Sequence, residues 1–275
     1  MNTLLDTISP DQIFTDPFPH IVITDALEEQ LCRRLIEQFP SIDLLSNGKL
    51  TTSNERFSYP TRDVLNNLEI SPLWREFIQA QSSPTFWSQI VRLFKPEILR
   101  LHPSFEQTFG AIDSLQPGVR KVDNFSTADV LLDAQICINA PVLQPSPLIK
   151  QAHVDRPQVV YAGLYYLRHP DDRSTGGNLE IYRFKGKPYS LQGQYIDDKY
   201  IERVKTVQYE RNVLVLFINS VQSLHGVTVR SVTETPRCFV NLIGEVKQPL
   251  YDLRAYQEKQ NLVSQFTRRL SSVKP

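Results

Sequence analysis

From about residue 128 the sequence breaks into short runs rich in β-branched and aromatic residues: ADVLLDAQICINAPV, VVYAGLYYL, NLEIYRF, RNVLVLFI, HGVTVR and RCFVNLI. Turn-forming clusters separate them, namely PSP at 145–147, HPDD at 169–172, TGG at 175–177 and ETP at 234–236. This is an antiparallel β pattern, and so many short strands imply closure into a barrel or sandwiching of two sheets. The expected class is therefore mainly β with flanking helices, an α+β chain.

The text before residue 128 differs. FPHIVI at 18–23 reads as a short strand. Asp25 is a plausible N-cap for a helix over roughly 26–39, where Leu27, Leu31, Leu35 and Phe39 recur at helical spacing. Segment 41–70 is polar and irregular and reads as a mobile loop. Residues 72–99 read as two helical pieces broken near Pro84, with Trp74, Phe77, Phe86, Ile90 and Phe94 as the buried face. After Pro249, Leu253, Tyr256, Val263, Phe266 and Leu270 outline an apolar helical stripe, expected to pack on the chain's own sheet, with a partner-binding helix as the alternative. The organisation expected is a helical extension over 1–127, a β core over 128–246 and a C-terminal helix over 247–275.

Charge excludes several function classes. Lys+Arg and Asp+Glu balance at 30 each, so no global field attracts nucleic acid or an anionic membrane. No stretch approaches 18 consecutive apolar residues, which argues against a spanning helix. The start lacks a basic n-region, and the three cysteines, Cys32, Cys137 and Cys238, have no metal-type spacing. They read as buried thiols, and a cytoplasmic chain is the expectation.

Three features carry chemistry. In His153-Val154-Asp155, the i and i+2 side chains of a strand share a face, so an imidazole and a carboxylate approach one metal ion from adjacent directions. Alone the signal is weak, and by itself a His–Asp hydrogen bond near the surface is the favoured reading. The second feature is Ser223-Leu224-His225-Gly226-Val227, directly after the apolar strand 213–218. Two imidazoles and one carboxylate leave metal positions open, as in non-haem iron(II) oxygenases. The third is Arg237, whose planar guanidinium matches a carboxylate in bidentate fashion. Arg230 rivals it for that role, and a surface pair with Glu234 is the competing structural reading. His20, His102 and His169 have no acid at ligand spacing and read as structural or solvated. The chain has no Gly-rich phosphate loop, Gly-x-Ser-x-Gly elbow or Cys-x-x-Cys pair.

In order, the motifs are HVDRP (153–157), YYL (165–167), GGNLEI (176–181), SLHGV (223–227) and RCFVNL (237–242). This series resembles the prolyl-4-hydroxylase-like branch of the iron(II)/2-oxoglutarate-dependent oxygenase superfamily. Through 153–181 it looks most like the oxygen-sensing prolyl hydroxylases, and the resemblance covers about 130–245. It implies a double-stranded β-helix (jelly-roll, cupin-like) core. It also implies iron(II) bound by His153, Asp155 and His225, with 2-oxoglutarate and dioxygen as cosubstrates and ascorbate as a candidate reductant. Arg237 and Tyr166 would hold the distal carboxylate of 2-oxoglutarate, and Ala162 and Leu179 would line its pocket. The implied reaction is hydroxylation of an unactivated C–H bond with release of succinate and carbon dioxide. Halogenases of the superfamily put Gly or Ala at the acid position, so Asp155 favours oxygen insertion. Where the family tends to carry a tyrosine upstream of the first histidine, this chain has Leu143, and Gln135 or Asn139 are the polar alternatives.

Arg156, Asn178 and Arg230, with Arg183, are candidates to face the mouth and bind a polar or anionic substrate such as an amino acid, peptide or glycan precursor. The competing reading for each is a solvated strand edge. Two other functions fit parts of the pattern: a cupin-like metal or sugar-binding module without 2-oxoglutarate turnover, and a hydroxylase acting on a partner protein's side chain, with 41–70 as its lid. The oligomeric state is open.

Overall fold

The computed structural model describes residues 1–145, 150–186 and 191–256. Its strands are β1 (His20–Ile23), β2 (Arg56–Tyr59), β3 (Pro117–Val119), β4 (Val130–Asn139), β5 (Lys150–His153), β6 (Val159–Tyr166) and β7 (Leu179–Phe184). They continue with β8 (Leu191–Gln192), β9 (Tyr195–Ile196), β10 (Ile201–Val207), β11 (Val213–Ile218), β12 (His225–Val227) and β13 (Arg237–Val246). The larger sheet runs β1-β11-β6-β13-β4-β2, with β3 beside β4, and the smaller runs β10-β7-β12-β5-β9-β8. From β4 to β7 and again from β10 to β13 the chain crosses between the two sheets at each connection. That winding is a double-stranded β-helix, the jelly-roll core.

Period-two alternation decides what enters the barrel. On β6, Tyr161 and Tyr165 join the core on the helix side, while Ala162 and Tyr166 join the core between the sheets. On β11, Leu214, Leu216 and Ile218 face the helices and Val213, Val215 and Phe217 face inward. β13 follows the same rule. Cys238, Val240 and Leu242 face the helices, which puts Arg237 in phase with the inward Phe239. Strands that are apolar on both faces, such as VLVLFI, are those covered on both sides.

Helices α1 (Glu29–Glu37), α2 (Ile42–Ser46), α3 (Thr61–Asn66), α4 (Pro72–Gln81), α5 (Pro84–Leu101) and α6 (Phe105–Phe109) accompany the larger sheet. Trp74, Phe77, Phe86, Ile90 and Phe94 are buried in its outer core, as their spacing predicts. Pro84 opens α5 at its first turn, where a missing N–H does no harm, and Ser83 caps it. No helix among the described residues is long and apolar enough to cross a membrane.

Two expectations need correction, and a third falls largely outside the described residues. Asp25 does not cap α1. It sits at a positive φ of 52°, and the Glu28 carboxylate accepts the N–H groups of Gln30 and Leu31 instead. Segment 41–70 is not an irregular lid. It forms α2, β2 and α3, and β2 pairs along the outer edge of β4, satisfying backbone groups that an edge strand would leave open. In the C-terminal stripe, Leu253 and Tyr256 lie in a single 3-10 turn, while Val263, Phe266 and Leu270 lie outside the described residues.

Asn212 fastens the segment before α1 to the barrel. Its Oδ1 accepts from the Leu27 amide at 2.9 Å and the Tyr165 hydroxyl at 2.8 Å, and its Nδ2 donates to the Leu27 carbonyl at 2.8 Å. Asn212→Ala is expected to cost about 3 kcal/mol, because it strands three buried polar groups. Urea unfolding midpoints measure this, and a loss below about 1 kcal/mol would mean that other partners replace the bonds.

Candidate metal and cosubstrate site

β5 and β12 pair antiparallel, and their register sets His153 directly opposite His225. The two ring centroids are 4.3 Å apart. Asp155, two residues beyond His153, brings Oδ2 to 3.9 Å from His225 Nε2. The candidate ligand atoms of the three residues all lie within 4.8 Å of one another. Metal–ligand bonds of about 2.1 Å separate two ligand atoms on one ion by about 3 to 4 Å, so this cluster has the dimensions of a single ion's donor set.

The surroundings set the imidazole tautomers. Nδ1 of His153 donates to the Gln151 carbonyl and Nδ1 of His225 donates to the Ser223 carbonyl, each at 3.0 Å. A carbonyl only accepts, so each ring carries its proton on Nδ1 and its lone pair on Nε2. Asn219, fully buried, ties the two flanks together. Its Nδ2 donates to the carbonyls of Arg156 and Val159, and its Oδ1 accepts from the Ser223 hydroxyl. The Tyr251 hydroxyl donates to the Asp155 carbonyl at 3.0 Å.

A cavity of about 70 Å³ reaches inward from Asp155 and His225, past Ala162, Phe217 and Leu179, to Arg237. Arg237 is buried, with its guanidinium carbon 4.5 Å, 4.9 Å and 5.1 Å from the ring centroids of Phe239, Tyr209 and Tyr166. Its Nε donates to the Gly177 carbonyl at 3.1 Å, but among the described residues its Nη2 has no acceptor at ordinary hydrogen-bond geometry. The Tyr166 hydroxyl, also buried, has no partner of ordinary hydrogen-bond geometry either. Burial pushes the Tyr166 phenol up, against the opposing pull of Arg237, so it stays protonated. A guanidinium and a phenol side by side with unmet donors present a site for an anion, and a carboxylate fits it.

Arg230, the rival, is already engaged. Its Nη2 donates to Asp172 Oδ2 at 2.8 Å and its Nε to Ser174 Oγ at 2.8 Å, although it lines an adjoining cavity of about 140 Å³ with Arg237. The pair is buried, with side-chain exposures of 2% and 0%. Burial would raise the Asp172 carboxyl, but hydrogen bonds from Ser174 and the charges of Arg230 and Arg168 outweigh it and hold the group below its ordinary value. This clamp shapes the loop leading to Gly176 and Gly177, both at positive φ. A Cβ on Gly176 would lie 1.8 Å from the Val229 carbonyl oxygen, so no side chain fits there.

The remaining candidates divide. Ala162 and Leu179 line the inner cavity, and Asn139 lines the adjoining one. Gln135 donates to Asp133 and accepts from Asn241, which lines the inner cavity. Arg156 pairs with Glu245 and lines neither cavity. Asn178 accepts the Tyr209 amide and faces an outer groove. Arg183 pairs with Asp16 and Glu202 at the surface, and Leu143 is exposed. His20 and His102 are buried against the Phe18 and Asn219 carbonyls, and His169 lies at the surface. Sequence reading missed Asn219, Tyr251 and Arg56. The last lines both cavities.

Asp172→Asn is expected to destabilise the chain by about 3 kcal/mol at neutral pH, because Arg230 is then buried without a counterion. The carboxyl is lowered on folding, so its stabilisation is present above about pH 3.9 and fades as pH falls below that value. The gap between variant and wild type should therefore close in acid. Urea titrations on either side of that pH measure it, and a constant gap would rule out the ion pair as its source.

No family model matches the chain, and no curated protein matches it. Solved structures do. A prolyl 4-hydroxylase from Phytophthora capsici aligns over 97% of this chain and 72% of its own at 18% identity, with a TM-score of 0.50. A Pseudomonas putida prolyl-4-hydroxylase aligns over 83% of this chain and 93% of its own at 12% identity and a TM-score of 0.43. A Trichoplax adhaerens prolyl hydroxylase, in complex with a hypoxia inducible factor peptide fragment, aligns over 82% and 83% at 10% identity and 0.40. The chain shares its fold with the Phytophthora prolyl 4-hydroxylase.

Proposed function

We propose that the chain is an iron(II)- and 2-oxoglutarate-dependent dioxygenase that hydroxylates an unactivated C–H bond of a polar small molecule, amino acid or peptide. The observation that carries this reading is the pair of buried, unmet donors, Arg237 Nη2 and the Tyr166 hydroxyl, beside a cavity that ends at the His153, Asp155 and His225 cluster. A keto-diacid is a ligand with one carboxylate for the donors and a chelating end for a metal. A sugar-binding module has no use for a buried guanidinium and phenol left without acceptors.

In this role His153, Asp155 and His225 would hold the metal and leave its other positions open. Arg237 and Tyr166 would take the distal carboxylate. Ala162, Leu179 and Phe217 would keep water from the reacting centre. Bound together, iron(II) and 2-oxoglutarate supply an oxidant made from dioxygen, with the keto acid decarboxylated to succinate and carbon dioxide.

Two measurements test the assignment. Iron(II) and 2-oxoglutarate added under nitrogen should give a weak visible charge-transfer band, and air should then release succinate. His153→Ala, Asp155→Ala and His225→Ala should abolish both signals. Arg237→Gln should keep the metal yet bind 2-oxoglutarate about tenfold to a hundredfold more weakly, the loss of a charge-assisted bond. Full succinate release by Asp155→Ala would end this reading.

A further inference from the structure

The two cavities are lined by three arginines, Arg56, Arg230 and Arg237, and by one carboxylate, Asp155. Asp155 belongs to the candidate metal cluster, Arg230 is matched by Asp172, and Arg237 is matched in the proposed function by the distal carboxylate of 2-oxoglutarate. Among the described residues, Arg56 has no carboxylate paired with it. Its Nε donates to Ser58 Oγ at 3.2 Å and its Nη2 to Cys137 Sγ at 3.4 Å, neither of them a carboxylate. Its neighbour Glu55 is occupied with the amide and hydroxyl of Thr52.

The side chain is also held in place. It lies over the Phe239 ring at 5.0 Å, on the ring that Arg237 approaches at 4.5 Å. Backbone register fixes the approach, since Arg56 sits opposite Asn139, and Asn139 opposite Arg237, on adjacent strands. Among the described residues its hydrogen bonds run from Nε and Nη2, and both go to side chains other than carboxylates. A guanidinium so placed has little entropy left to lose on binding a carboxylate. Arg56 is solvent-exposed, so it stands where the cavity meets incoming molecules.

We propose that Arg56 binds a carboxylate of the primary substrate, which makes that substrate a small free acid of the amino-acid type. This rests on the function proposed above, because it assumes that Arg237 serves the cosubstrate. The shared chemistry is a carboxylate, and its two sources are separable.

The full chain loaded with Mn(II) under nitrogen, which binds without turnover, is titrated by calorimetry. In the first arm 2-oxoglutarate is added to wild type, Arg56→Gln and Arg237→Gln. Arg237→Gln should lose affinity, and Arg56→Gln should not. Equal losses would assign Arg56 to the cosubstrate and overturn the proposal. In the second arm the free L-α-amino acids and their carboxamides are added, with and without 2-oxoglutarate. At least one acid should bind about tenfold more tightly than its amide, Arg56→Gln should erase that preference, and Arg56→Lys should restore part of it. Amides that bind as well as acids, or no acid whose binding depends on Arg56, would overturn it. Failure of wild type to bind 2-oxoglutarate in the first arm would count against the function above, while the second arm, run without it, still decides for or against Arg56.

Discussion

One cross-strand pair, His153 opposite His225, governs where the chemistry assembles. Facing residues of an antiparallel pair bring their Cβ atoms within about 5 Å, so two imidazoles meet without any long-range coincidence. Asp155 follows by the i+2 rule. A slip of one residue between β5 and β12 would turn His153 to the opposite face and dissolve the cluster. The register is pinned from outside the strands, by Asn219 reaching both flanks and Tyr251 holding the Asp155 carbonyl.

The second half of the site rests on a charge that burial disfavours. A buried guanidinium is expensive unless it is compensated. Arg237 has partial compensation from three aromatic rings and the Gly177 carbonyl, and no carboxylate. The contrast with Arg230 is instructive. Two arginines line one cavity and each keeps one unmet Nη donor, yet Arg230 is paired with the Asp172 carboxylate while Arg237 stands beside an unmet phenol.

How much was legible in the sequence follows from this geometry. The jelly-roll core and the convergence of His153, Asp155 and His225 were readable because strand side chains alternate strictly, so HVD, YYL and RCFVNL each declare an inward face once the strands are recognised. The pairing of Arg230 with Asp172 was not readable, because the two lie 58 residues apart. Arg56 was invisible for a related reason. It sits on a four-residue edge strand whose partner Cys137 lies 81 residues away, and so short a run carries little periodic signal. The polar texture of 41–70 came from an edge strand with one face in water, which resembles a loop when read alone.

Gly176 and Gly177 form the narrow turn whose carbonyl steadies Arg237. At the first of them there is no room for even a methyl group. The two positions are constrained differently: a side chain at Gly176 would run into the Val229 backbone, while one at Gly177 would press on the Arg237 side chain itself and carry the strain of a positive φ. A lineage altering its substrate preference would rework the rim and leave that corner as it stands.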